Sequence, residues 1–389
     1  MPEHLIVGGG VFGLTAAIEL RERGHAVTLI DPGPIPHPLA ASNDLNKVVR
    51  MEYGADARYL DMVDRAIDGW IRWNERFGAP VYMETGVLLL AADPVRAGGY
   101  EYESLQQTRR AGRAVERLGR ADIARRFGGW NADAYAEALF NPRGGYTASG
   151  LTVRVLARCA AELGVDLREG VAATGLLDAG GRVAGVTTRE HGELRADHTI
   201  VAAGVWTAGL VPELAPFLRT TAHPMFYLQP DDPTDWGPPR FCTFTADVSR
   251  TGWYGMPIDP ATGLLKFAKH DAGHNADPDG NRGSVPPHRI AELRSFLRES
   301  LPALADAPLD RARHCFYTDT LDGHFWITRH PERASLTIST GGCGHAMKMA
   351  PVLGGLTADA VEGRPNLWLD RFRWRTDPSA VPGDAARMG

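Results

Sequence analysis

Three glycines near the start of the chain stand in the order G-x-G-x-x-G: Gly8, Gly10 and Gly13. A turn of this kind brings backbone close to a bulky anionic group such as a pyrophosphate. Gly8 permits the tight turn, Gly10 removes the side chain from the approach, and Gly13 lets a helix lie close on a strand. Asp31 follows at the end of the next apolar run, where a carboxylate can accept both hydroxyls of an adenosine ribose and repels a 2′-phosphate. A second glycine turn, Gly341, Gly342 and Gly344, precedes Met347 and Lys348 late in the chain. Amides at a helix start there would face something electron-rich, in a flavoenzyme the N1–C2=O edge of the ring, with Lys348 adding positive charge. The alternative is a plain glycine turn with a surface lysine.

Other residues invite chemistry less loudly. Lys47 and Arg50 are three apart, so on a helical turn they share a face. If Gly263 to His270 is a strand, Lys266 and His270 lie on one face about 13 Å apart, from steps of about 3.3 Å. They could line a cavity wall or a solvated face. The four cysteines, Cys159, Cys242, Cys315 and Cys343, share no metal-ligand spacing and no disulfide framework. On its own, Cys315 reads as a buried small hydrophobe.

The elements that must position these groups are legible in outline. Leu5 to Val7 is a strand, Leu14, Ala17 and Ile18 mark a helix stopped by Gly24, and "AVTLI" is a second strand ending in Asp31. Strand, glycines, helix, strand and acid together predict a dinucleotide site for NAD or FAD, with NADP disfavoured. "TIVAAG" reads as a buried strand running into a small-residue turn at Gly204, and a helix is expected to start near Met347. The region from about 211 to 310 reads as an antiparallel sheet with one long helix. The expected fold is therefore α/β: a Rossmann-like unit over 1–80, 145–210 and 311–375, interleaved with a mainly antiparallel substrate unit over 81–144 and 211–310, and a tail at 376–389.

The chain has 389 residues, 44% hydrophobic and 23% charged, with net charge −5, which argues against nucleic acid as the main partner. No apolar run is long enough to cross a bilayer. The folded character of the first residues leaves no signal peptide, so a cytoplasmic protein is expected.

The segments "IVGGGVFG", "DLNKVVRMEYG", "IVAAGVWT", "WYGMP", "LLKFAKH", "HCFYTDTLDGHFWITRHP" and "GGCGHAMK" resemble the monomeric sarcosine oxidase family of FAD-dependent amine oxidases, within the D-amino-acid oxidase superfamily. The resemblance spans about His4 to Trp374, and "DLNK" is most similar to the branch acting on fructosyl amino acids, saccharopine or pipecolate. It implies FAD, tethered through Cys315. It implies catalytic or substrate-binding roles for Arg50 and Lys348 (carboxylate), Lys266 (oxygen), His270 and Tyr254 (cavity walls) and Lys47 (beside the flavin). The implied cofactor set is Gly8, Gly10, Val11, Phe12, Gly13, Asp31, Ser42, Lys47, Val171, Gly204, Trp206, Cys315, Gly342, Gly344, His345, Met347 and Lys348. The implied reaction is oxidation of a secondary-amine amino acid to an imine, with O2 reduced to H2O2, by a monomer without a membrane partner. A fructosyl-amino-acid oxidase, an NAD-dependent dehydrogenase and a flavoprotein subunit without oxidase activity are the alternatives. The chain departs from the family pattern at Cys343, Ala346 and Met347, next to the flavin turn, which bears on pocket shape.

Overall fold

Apolar strands buried on both faces require cover on both sides: in the six-stranded sheet helices cover one face, and a three-stranded sheet, Ala173–Ala179, Arg182–Thr188 and Gly192–Arg195, covers the other. The structure, a computed structural model, describes residues 3–280 and 282–376. The expected tail at 376–389 lies outside the described residues apart from Thr376. A six-stranded sheet runs in the order Trp326–Arg329, Leu336–Thr340, His198–Val201, Glu3–Val7, Ala26–Asp31, Asp166–Glu169. All its pairings are parallel except the one between the first two. Helices Val11–Glu22, Ser149–Glu162 and Ala350–Glu362 pack with it. Val11–Glu22 and Ala350–Glu362 approach so closely that a Cβ on Gly354 would stand 2.4 Å from Thr15 O.

The second sheet has nine strands. Its order is His274–Asn275, Leu218–Leu228, Leu265–Lys269, Trp253–Met256, Thr243–Ala246, Val87–Ala91, Glu137–Asn141, Glu116–Gly119. Strand Leu309–Thr320 also pairs with Leu218–Leu228. Every pairing is antiparallel but that of Thr243–Ala246 with Val87–Ala91. Helix Pro287–Ser300 covers one face, placing Leu293, Phe296 and Leu297 in a core with Trp253, Phe244 and Phe267. The α/β class with a mainly antiparallel second sheet is as expected.

Four local expectations need correction. Lys47 and Arg50 do not share a helical turn: Lys47–Val49 is a short strand paired with Gly145–Thr147, as two adjacent valines favour. The strand in "TIVAAG" ends at Val201, and Gly204 opens a 3₁₀ turn at a φ of +54°. Lys348 lies in a 3₁₀ turn, Ala346–Met349, and the α-helix begins only at Ala350, with Pro351 in the first turn where a proline is tolerated. Finally, the boundary expected at 311 moves. Leu309–Thr320 bonds along its whole length to Leu218–Leu228, so the chain rejoins the six-stranded sheet at Trp326–Arg329.

Candidate active site

The glycine turn after Glu3–Val7 is held by contacts that exclude side chains. A Cβ on Gly13 would stand 1.9 Å from Gly8 O, and one on Gly8 2.5 Å from Ala202 O. Asp31 closes the turn from the neighbouring strand: Oδ2 accepts from Gly9 N at 2.8 Å and Oδ1 from Gly33 N at 3.0 Å. Burial raises its carboxyl above the usual carboxylate range, against the pull of these two amides. The following helix starts after Gly10 without a side-chain cap, which leaves its first amides for a ligand.

Above this turn opens a cavity of about 540 Å³. Gly8, Gly10, Val11, Phe12, Asp31, Ser42, Lys47, Gly204, Trp206, Gly342, Gly344 and Met347 line it. The remaining expected cofactor residues sit around it. Gly13 packs beneath the turn. Val171 N donates to Asp31 O at 2.9 Å, and the next two residues, Ala172 and Ala173, reach the wall. Cys315 is buried with Sγ 4.0 Å from Ala41 O, while Ala41, Phe316 and Tyr317 line the cavity. This glycine-backed trough, with Asp31 at the glycine turn and Lys47 on the wall it shares with a smaller cavity, fits an extended dinucleotide. The residues just named would hold FAD there.

A smaller cavity of about 50 Å³ adjoins the trough at Lys47. Lys47, Tyr317, Gly344 and Met347 border both spaces. Arg50, His270, Tyr254, His345, Lys348, Thr245, Val48 and Val248 complete the small one. It thus gathers Lys47, Arg50 and Lys348 with no carboxylate on the wall. Arg50 is buried, donates to Glu52 O and to the Tyr100 hydroxyl, and lies over the Tyr53 and Tyr100 rings. Lys348 Nζ donates to the Tyr53 hydroxyl at 3.1 Å. That hydroxyl is 2.9 Å from His345 Nδ1, and His345 Nε2 is 3.1 Å from Gly323 O. Burial raises the Tyr254 phenol, and a hydrogen bond to Tyr317 works against the shift.

Lys266 does not share the wall with His270 as strand periodicity suggested. The strand stops at Lys269, and His270 N donates to Gly252 O. The Lys266 ammonium turns instead to Asp44 Oδ2 and Asn46 O, both at 2.7 Å. A lone buried ammonium is costly, and Asp44 supplies its partner. Asp44 also accepts from the Tyr227 hydroxyl, forms an ion pair with Arg313 Nη2 at 3.1 Å, and lies 3.7 Å from Lys47 Nζ. Burial alone would raise its carboxyl, but Lys266, Lys47 and Arg313 hold it well below the usual range. Burial lowers Lys266 to about 8, against Asp44 and with help from Lys47.

Several residues escaped the sequence reading. Tyr317 borders both cavities and stacks on His223 at 4.1 Å. Period two from Cys315 could have flagged it, since both lie on one face of their strand. Asp44 and Tyr53 both lie in the segment "DLNKVVRMEYG", and neither they nor Thr245 carry a local signal of their own.

The sequence matches the DAO family, described as FAD dependent oxidoreductase, over residues 3–360. L-saccharopine oxidase of Schizosaccharomyces pombe is 29% identical across 97% of this chain and 94% of its own length. Monomeric sarcosine oxidase of Bacillus sp. (strain B-0618) is 26% identical across 90% and 89%. Among solved structures, fructosyl amine:oxygen oxidoreductase (Amadoriase I) from Aspergillus fumigatus superposes with a TM-score of 0.81 at 25% identity, covering 99% of this chain and 94% of the other. Glycine trough, terminal acid and family match converge: the chain belongs to the DAO family of FAD-dependent oxidoreductases.

Proposed function

We propose that the protein oxidises a small amino acid whose nitrogen is a secondary amine, N-alkylated or cyclic. The carrying observation is the small cavity with three cations and no carboxylate, set against the dinucleotide trough. Bound FAD supplies the two-electron chemistry: hydride leaves the carbon next to nitrogen to give an imine, and O2 is reduced to H2O2. The chain's residues bind and orient. Arg50 offers a planar fork to a carboxylate and Lys348 a point charge. Tyr254, Tyr317 and His270 wall the amine between the anchor and the trough, which is a matter of positioning. Lys47 places positive charge on the trough wall, where it favours negative charge developing there, and Lys266, buried behind it and paired with Asp44, is the proposed aid to the reaction with oxygen. The small cavity, about 50 Å³, is proposed to take a compact substrate rather than a fructosyl amino acid.

Cys315 is the proposed covalent tether of the flavin, supported by its burial between Ala41 and the trough-lining Phe316. Acid precipitation tests it: yellow colour stays in the pellet of the native enzyme and washes out of Cys315→Ser. A peroxide assay tests the activity. Sarcosine, N-methylalanine, proline and pipecolate should release peroxide, while the matching amines without a carboxylate should not. Turnover of fructosyl amino acids alone would overturn the size argument.

A further inference from the structure

The small cavity has two unlike sides. Arg50 and Lys348 come from the short strand region and the 3₁₀ turn, whereas Thr245 and Tyr254 come from the nine-stranded sheet. Thr245 and Tyr254 are directly paired across antiparallel strands, so their side chains share one face. Thr245 is 2% exposed, yet it lines the cavity, and its hydroxyl bonds to no other described residue. A threonine in a strand has no carbonyl of the preceding helical turn to satisfy it. Its strand neighbour Leu89 and the nearby Val248 offer none through their side chains. Tyr254, by contrast, is engaged with Tyr317. The sheet side of the cavity therefore presents a hydroxyl that a ligand must satisfy or leave orphaned.

We infer that Thr245 is a specificity-determining residue, and that the substrate is a secondary-amine amino acid carrying a hydroxyl on its α-substituent or ring. This rests on reading the cavity as the amino acid site. The carboxylate occupies the Arg50 and Lys348 side, and the substrate hydroxyl meets Thr245 on the sheet side. A site built around such a pair discriminates against the analogue lacking the hydroxyl, because the threonine is then left unpaired.

The test uses matched pairs on the holoenzyme: N-methyl-L-serine against N-methyl-L-alanine, and cis-4-hydroxy-L-proline against L-proline. The hydroxylated member of at least one pair should have kcat/KM higher by roughly 5–30-fold, the size of one buried hydrogen bond. Thr245→Val, which keeps the shape, should reduce that ratio to about one. Thr245→Ser should restore the preference. A ratio near one in the native enzyme, or an unchanged ratio in Thr245→Val, overturns the assignment. Binding without turnover separates the two readings. Titration of the flavin absorbance with 3-hydroxypropionate and propionate should show tighter binding of the former. Equal binding defeats Thr245 alone, and no perturbation by either carboxylate defeats the cavity reading together with it.

Discussion

Lys348, in the 3₁₀ turn Ala346–Met349, and His345, the residue that caps it, are joined through the hydroxyl of Tyr53, 3.1 Å from the ammonium and 2.9 Å from the ring Nδ1. An ammonium only donates, so the Tyr53 oxygen accepts from Lys348. Gly323 O only accepts, so a neutral His345 carries its proton on Nε2 and receives the Tyr53 proton at Nδ1. The chain of donors has one direction. Tyr53→Phe should therefore loosen Lys348 and raise KM for carboxylate substrates by about tenfold, the worth of a hydrogen bond to a charged group, with a smaller change in kcat. Steady-state kinetics decides it; equal losses in kcat and kcat/KM with KM unchanged would remove Tyr53 from substrate binding.

Arg50 is the rigid part of the anchor. Arg50→Ala should raise KM for an amino acid substrate by roughly two to three orders of magnitude. The melting temperature should stay close to native if the loss is one of recognition. An unchanged KM means the carboxylate sits elsewhere.

The charge on Lys266 should be visible in the pH dependence of reoxidation. Its folded value of about 8 lies below the ordinary 10.5, so the ammonium is lost as pH rises through about 8. The rate at which reduced enzyme reacts with O2, followed by stopped flow, should fall across that range. Asp44→Asn removes the partner that holds the charge and should move the break to lower pH. Lys266→Met should give a slower, flat profile. On stability the sign is opposite: between about 8 and 10.5 the unfolded chain binds a proton that the folded one does not, so this group adds stability as pH rises.

Gly344 has a φ of +72°, and a Cβ there would stand 2.4 Å from the Tyr317 ring. Gly344→Ala should cost about 1–3 kcal/mol from backbone strain alone, or roughly 2–4 °C in Tm for each kcal/mol. The pressed ring borders both cavities, so flavin content should drop too. Differential scanning fluorimetry and the flavin-to-protein absorbance ratio report the two effects.

Local arguments read the first unit well because its residues are close in sequence. The glycine turn, the helix behind it and Asp31 all fall within one βαβ-type segment, where periodicity and turn chemistry suffice. The other site residues meet through tertiary structure. Asp44 and Lys266 are 222 residues apart, and Tyr53 and His345 are 292 apart. No spacing rule connects such pairs. Lys47 and Arg50 show the opposite failure: a spacing of three looked helical, but a strand formed, and the two cations still reach one cavity because Arg50 lies just past the strand end. The family resemblance supplied Arg50, Lys348, His270 and Tyr254. Tyr53, Asp44 and Thr245, which support or face them, are brought to the site only by the tertiary fold.

Strand Leu309–Thr320 is bonded to the nine-stranded sheet, yet its Phe316 and Tyr317 face the same trough as Gly8 and Gly10 of the six-stranded one. The trough is therefore a seam between the two halves of the molecule, and whatever fills it acts as mortar. Neither half contains a complete trough, so the site cannot be inherited or transplanted as a cassette of either sheet alone. Loading the cofactor and setting the halves rigidly against each other are then one event, and ageing of the enzyme should begin at this seam rather than inside either sheet.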